Sequence, residues 1–459
     1  MPENKSKYNS RSKATGSSRS GTSAGTRSKT SAGTRSTAPA GSRSKTSGNA
    51  GAKAAGTKNT TGQRSTKSSK RMATRRARAY REKRKTYWLC IISLIGILIV
   101  LNVVARLSRG FCDWYSRYVF PVWVSIYGRL TSILPFSFGE WLIIIGLILS
   151  LIALLLWIPA LICKKKECGL KFRYSAVRFY RFFLVVVLDA AIVMTLNCFM
   201  LYNCTPIDPN PEAAVREYTT SDLFLLREHL AQTINELAET LPRDADGKLV
   251  YTGDMQKEAE KALKKINKDY PKLDGFIPNV KKMKVFSDIL SQSYICGYYF
   301  PFSMEANVNN RMYLTNYPAC YCHELSHVRS YVYEDEANFL AFLACLSSDD
   351  PMFRYSGALS VFRYVEDDLM KSNDDVLSEL SEKYGFTELS DKAVNDDVFL
   401  TPESWAEVEA DAVLSTQTVE NISDTLTDTS LKLSGVSSGI ISYREVVRLL
   451  LRYYDGVLY

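Results

Sequence analysis

Two of the chain's three histidines stand four residues apart, in His323-Glu324-Leu325-Ser326-His327. On a helix that spacing puts both imidazoles on one face, where two nitrogens can be directed at a single ion, and zinc suits such a pair. Glu324 follows the first histidine by one position. It is placed to act at the ion's open position, taking a proton from a zinc-bound water and returning it to a leaving amine. The chemistry this pattern offers is hydrolysis of a peptide bond. His229 lies in a helical pattern with no partner motif and reads as structural.

A catalytic zinc takes three protein ligands. The first candidate for the third is Glu334, in Glu334-Asp335-Glu336-Ala337-Asn338; the second is Glu336, and a more distant one is Glu407. Seven residues of unbroken helix would carry Glu334 about 10 Å beyond His327, too far for ligand bonds of about 2 Å. A helix must therefore end between Val328 and Tyr333, and a second must start near Glu334. Two residues on a helix differ by about 200° in direction, so only one of Glu334 and Glu336 can face the ion. The ten cysteines offer Cys320-x-Cys322 without a second pair at zinc-finger spacing. A disulfide among Cys112, Cys204, Cys296, Cys320, Cys322 and Cys345 is permitted outside the cytoplasm.

His323-Glu324-x-x-His327 followed by Glu334-x-x-Ala337-Asn338 resembles the gluzincin metallopeptidases. The resemblance implies that Glu334 completes the site, with Asn338 standing where that group usually has an Asp beside a histidine. It also implies an edge strand ahead of the active helix that pairs with substrate, which would put Asn307 and Asn309 in the cleft. Arg329 and Tyr443 are candidate oxyanion donors. As a whole the chain is similar to an uncharacterised bacterial family of multi-pass membrane proteins classified only as a domain of unknown function. That likeness rests on residues 135–140 (PFSFGE), Tyr299-Phe-Pro-Phe302, Glu305-Ala-Asn-Val308, the histidine motif, 334–345 (EDEANFLAFLAC), Arg354-Tyr-Ser-Gly357 and Ser442-Tyr443. It implies a fold and a zinc site, and no substrate.

The elements that must position these residues begin in a membrane. Residues 87–105, 141–163 and 182–202 are each about 20 residues long and nearly free of charge, the length a helix needs to cross a hydrocarbon core. Asp189 is the one acid in the third span, expected to hydrogen-bond a neighbouring helix. Residues 1–85 hold 23 Lys/Arg against two acids, whereas residues 203–459 hold 24 against 42. The basic N-terminal stretch is too poor in apolar residues to fold, so a disordered cytoplasmic tail against the anionic inner leaflet is expected. Without interleaved aromatics or a recognisable module, nucleic acid is not an expected partner. The loop 164–181 carries seven Lys/Arg and the loop 106–140 only four. The positive-inside rule therefore puts the N-terminus in the cytoplasm and residues 203–459 outside it, in the cell membrane's extracytoplasmic face. The aromatic-rich first loop suits the outer interface.

The expected fold is mainly α: three transmembrane helices, then a helical zincin-like extracytoplasmic domain with a small β element. Helical periodicity is read at 221–239, 254–269, 337–346, 367–383, 402–416 and 443–454, with short strands near 282–286 and 309–314. Two function classes follow. One is a membrane-anchored zinc metallopeptidase with a peptide or protein substrate; the alternative is a non-catalytic metal-binding sensor or scaffold domain. The acid Glu324 distinguishes them, since a binding-only site has no use for a base.

Overall fold

The computed structural model describes residues 60–162, 167–212, 214–372, 374–434 and 445–459. The tail expectation for residues 1–59 and the role suggested for Tyr443 lie outside them. Three helices are long and apolar enough to cross a membrane, through the stretches Arg71–Leu107, Phe138–Pro159 and Phe172–Asn203. They belong to α1 (Thr60–Leu107), α2 (Phe138–Ile162) and α3 (Glu167–Met194), the last continued by a π turn at Thr195–Phe199. Helix α1 starts well before its apolar part, inside the stretch read as tail. Residues 70–85 contain Ala, Arg, Lys and Glu with no Gly or Pro, so extending an existing helix backwards costs little. Tyr180 Oη donates to the Ala153 carbonyl at 2.6 Å and Asn102 Nδ2 to Thr195 Oγ1 at 3.1 Å, which join the spans through polar groups. Asp189 is exposed on α3, contrary to the expected hydrogen bond with a neighbouring helix.

Between the first two spans the chain forms a run of short helical turns from Arg109 to Ser132, two of them π-helical. Cys112, Ser116, Phe120, Val124 and Gly128 are all buried on it. A four-residue spacing drifts by about 40° per step on an α-helix. The wider π turns absorb that drift and keep these side chains on one face. The opposite face exposes Trp114, Tyr118, Val122, Ile126, Leu130 and Ile133.

The domain after the spans is mainly helical, with one three-stranded sheet. Helix α4 (Thr220–Thr240) opens on a capping box in which the Thr219 hydroxyl and the Asp222 carboxylate exchange backbone donors. Helix α5 (Met255–Ile266) follows, then β1 (Lys281–Lys282), β2 (Gly297–Phe300) and β3 (Glu305–Val308). The sheet order is β1-β3-β2, with β1 parallel and β2 antiparallel to β3. Helices α6 (Asn316–Val328), α7 (Glu334–Ser347) and α8 (Pro351–Met370) pack on one another, and α9 (Val446–Tyr454) closes over α7. Helix α7 is apolar nearly all round and buries Phe339, Leu340, Phe342 and Leu343, as a helix at the centre of a core must.

Three expected elements fall elsewhere. Residues 309–314 form turns rather than a strand, because Asn309 folds back: its side chain accepts the Arg311 N–H and donates to Ser291 Oγ at 2.9 Å each. The strand read at 282–286 ends after Lys282, where the chain turns into the helix Ser287–Gln292. The helix read across 367–383 is two, α8 and Asp374–Tyr384, parted by a turn at Lys371-Ser372. Cys90, Cys112, Cys198, Cys204, Cys296, Cys320, Cys322 and Cys345 are free thiols, with the Cys322 and Cys345 Sγ atoms 3.9 Å apart.

Two buried glutamates tie the sheet to the second span. Glu305, fully buried in β3, accepts the backbone N–H groups of Phe138 at 3.0 Å and Gly139 at 2.7 Å and the Ser303 hydroxyl at 2.6 Å. Those two N–H groups are unpaired donors of the first turn of α2. Glu140 reciprocates from α2, accepting Val285 N–H at 2.7 Å and Phe286 N–H at 3.0 Å. Glu305→Ala strands several buried donors at once. It is expected to cost about 3 kcal/mol or more, read as a fall in the unfolding midpoint of the detergent-solubilised chain; an unchanged midpoint would show that the clamp carries no weight.

Candidate metal centre

The turn between α6 and α7 is what brings the motif together. Ser330 takes a left-handed conformation, φ 72°, while the Tyr331 N–H reaches back to the Ser326 carbonyl at 3.1 Å. This is a C-terminal cap of the kind glycine usually makes, and it closes α6 at Val328. The Ser330 hydroxyl shares a 2.8 Å hydrogen bond with Ser116 of the first loop, a buried partner that helps hold a serine in this conformation. Helix α7 then begins at Glu334, with its acids in the first turn where the helix dipole favours them.

Glu334 Oε2 lies 3.3 Å from His323 Nε2 and 3.5 Å from His327 Nε2, and the three ligand atoms all fall within 4.8 Å of one another. Two ligand atoms bound tetrahedrally at about 2.1 Å from one zinc stand about 3.4 Å apart. The two Glu334 distances match that spacing. His327 Nδ1 lies 2.7 Å from the Tyr331 carbonyl. An Nδ1–H donated there fixes the ring with Nε2 turned toward Glu334. Asn338 lies one turn along α7, and its side-chain nitrogen is buried with no hydrogen-bonding partner among the described residues.

Glu324 is 3% exposed, and one of its carboxylate oxygens is buried with no hydrogen-bonding partner among the described residues. Burial pushes its carboxyl up to about 8. For Glu334, burial also acts upward, but the charge of His327 and the hydrogen bonds from both imidazoles outweigh it and hold the carboxyl well below the usual range. The two acids thus differ by environment: one is poised to exchange a proton near neutrality, and the other stays ionised. The donor set of two imidazoles and a carboxylate, with an unpaired carboxylate beside it, fits a zinc ion and a water.

The other candidates that the structure describes each have partners of their own. Glu336 points away from the cluster and accepts the Ile207 N–H at 2.8 Å, as the 200° separation from Glu334 requires. Glu407 is paired with Arg311 at 2.6 Å on an exposed helix. Arg329 spends its guanidinium on the carbonyls of Lys272, Asp274 and Phe276, holding that loop instead of facing an oxyanion. Asn307 lies in the central strand and donates to the carbonyls of Tyr298 and Glu305, and Asn309 holds the following turn. The edge strand that lies against Glu324 is β2, which sequence reasoning missed because a strand of four residues, mostly aromatic, between turns carries no periodicity.

Within β2, Gly297 was also missed. A Cβ there would lie 2.5 Å from Glu324 Oε1 and 2.7 Å from the Asn307 carbonyl. Gly297→Ala must therefore push either the acid or the strand aside, at about 1–3 kcal/mol of overpacking. The expected result is a lowered unfolding midpoint of the detergent-solubilised chain, and an unchanged midpoint would show that the strand and Glu324 need no such fit.

The fold and site define a mainly helical protein with three helices long and apolar enough to cross a membrane and a candidate metal centre in the domain that follows them. The chain belongs to the family described as Protein of unknown function (DUF3810), which matches residues 115–451 and so leaves out the basic tail and the first span. No curated protein and no solved structure matches it.

Proposed function

We propose that the protein is a membrane-anchored zinc metallopeptidase acting outside the cytoplasm. The observation that supports this reading best is the convergence of His323, His327 and Glu334 around one point, with the unpaired carboxylate of Glu324 next to it. Zinc bound there would lower the pKa of water to near neutrality and polarise a peptide carbonyl. Glu324 would accept the water's proton and deliver it to the departing amine, a transfer its raised pKa suits. The Tyr331 carbonyl would hold the His327 imidazole plane. The charge bias of the loops supports a cytoplasmic N-terminus and an outer C-terminal domain, with the tail drawn to the anionic inner leaflet.

The test uses the full-length chain in liposomes. One zinc per chain should be found, hydrolysis of a fluorogenic random-octapeptide pool should depend on it, and a reporter after Tyr459 should be active only outside intact cells. Zinc bound without hydrolysis would favour the sensor or scaffold reading, and absence of zinc would remove both.

A further inference from the structure

The candidate centre stands one strand away from the ends of the membrane helices. At one end of β2, Gly297 abuts Glu324. The Tyr299 ring lies 6.4 Å from that of His327, and its hydroxyl donates to the Asn197 carbonyl, in the last turns of the third span, at 3.3 Å. At the other end the Phe300 ring packs on Gly139 in the first turn of α2, close enough that a Cβ there would meet it at 3.0 Å. Asn197 Nδ2 donates to the Pro301 carbonyl at 2.8 Å, and Glu305 caps α2 as described. Four residues of strand cover about 10 Å. The polar zone on each side of a hydrocarbon core is about 5–8 Å thick. The centre is therefore at or just above headgroup level.

The first loop adds an independent observation. Its outward row of Trp114, Tyr118, Val122, Ile126, Leu130 and Ile133 is 49–78% exposed and continues directly from the apolar spans, so lipid is what would cover it. Its inner face is bonded through Ser116 to Ser330, in the turn between the two helices that carry the cluster. The domain is thus laid down on the bilayer by the same loop that braces the site.

Resting on the peptidase reading, we infer that the substrate is the membrane-proximal segment of a polypeptide anchored in the same bilayer, not a freely soluble peptide. At about 3.3 Å per extended residue, about three residues beyond a span reach the centre. An anchored segment also arrives at high effective concentration, which falls roughly as the −3/2 power of spacer length.

The experiment compares three forms of one fluorogenic random-octapeptide pool, with the full-length zinc-loaded chain in liposomes. One form is free, one is joined to a hydrophobic membrane helix by a 4-residue spacer, and one by a 25-residue spacer. The short-spacer form should be cleaved about tenfold faster than the long-spacer form at equal surface density, and faster still than the free form. In parallel, a spin label at Tyr298→Cys should be relaxed by a headgroup-level, lipid-attached paramagnet. Equal cleavage of the two anchored forms, or a label relaxed only by a water-soluble paramagnet, overturns the inference and leaves the peptidase reading standing. Cleavage of no form, with Glu324→Gln indistinguishable from wild type, overturns both.

Discussion

Glu324→Gln is expected to lower peptide hydrolysis by about 10³-fold while zinc content stays at one per chain. The magnitude is that of a positioned general base, about 10²–10⁴-fold. The separation of the two readouts follows from the geometry, since Glu324 is outside the group of ligand atoms and Gln fills the same volume. The glutamine also removes a carboxyl that burial disfavours when ionised, so the fold should not suffer. Activity assayed beside metal analysis of the same preparation decides the matter. Retained hydrolysis would mean that the proton is moved by another group, and lost zinc would mean that Glu324 is itself a ligand.

The second large effect separates two acids two residues apart. Glu334→Gln should weaken zinc binding by more than about 100-fold, beyond what loss of a supporting group costs. Its carboxylate lies 3.3 and 3.5 Å from the Nε2 atoms of the two imidazoles, and an amide is a poor zinc ligand. Glu336→Gln should leave affinity within a few-fold of wild type. The amide oxygen still accepts the Ile207 N–H, and a buried charge that burial opposes is gone. Competition with a chelator of known zinc affinity reads both. Equal weakening in the two variants would mean that α7 can rotate its acids at the site, contrary to the packing of Phe339 and Phe342 in the core.

Much of this protein is written in short-range patterns. Segments of about 20 apolar residues identify the spans because a hydrocarbon core tolerates little else of that length. His323 and His327 announce a shared face because helical geometry repeats locally. Even the break before Glu334 follows from arithmetic on the helix rise. Other features have no local signature. That Ser330 adopts the left-handed turn depends on Ser116, 214 positions away in sequence. That Arg329 holds a loop, Glu336 a linker and Glu407 an exposed arginine depends on which distant carbonyl, N–H or charge the fold brings near. The sequence by itself determined the spans, the histidine pair and the acid between them, since each is fixed by spacing along one helix. Only the tertiary structure decided which glutamate joins the pair, which strand lies against Glu324, and how close that strand comes to the ends of the apolar helices. Those answers turn on long-range packing and on buried polar groups finding partners, which no single stretch of chain encodes.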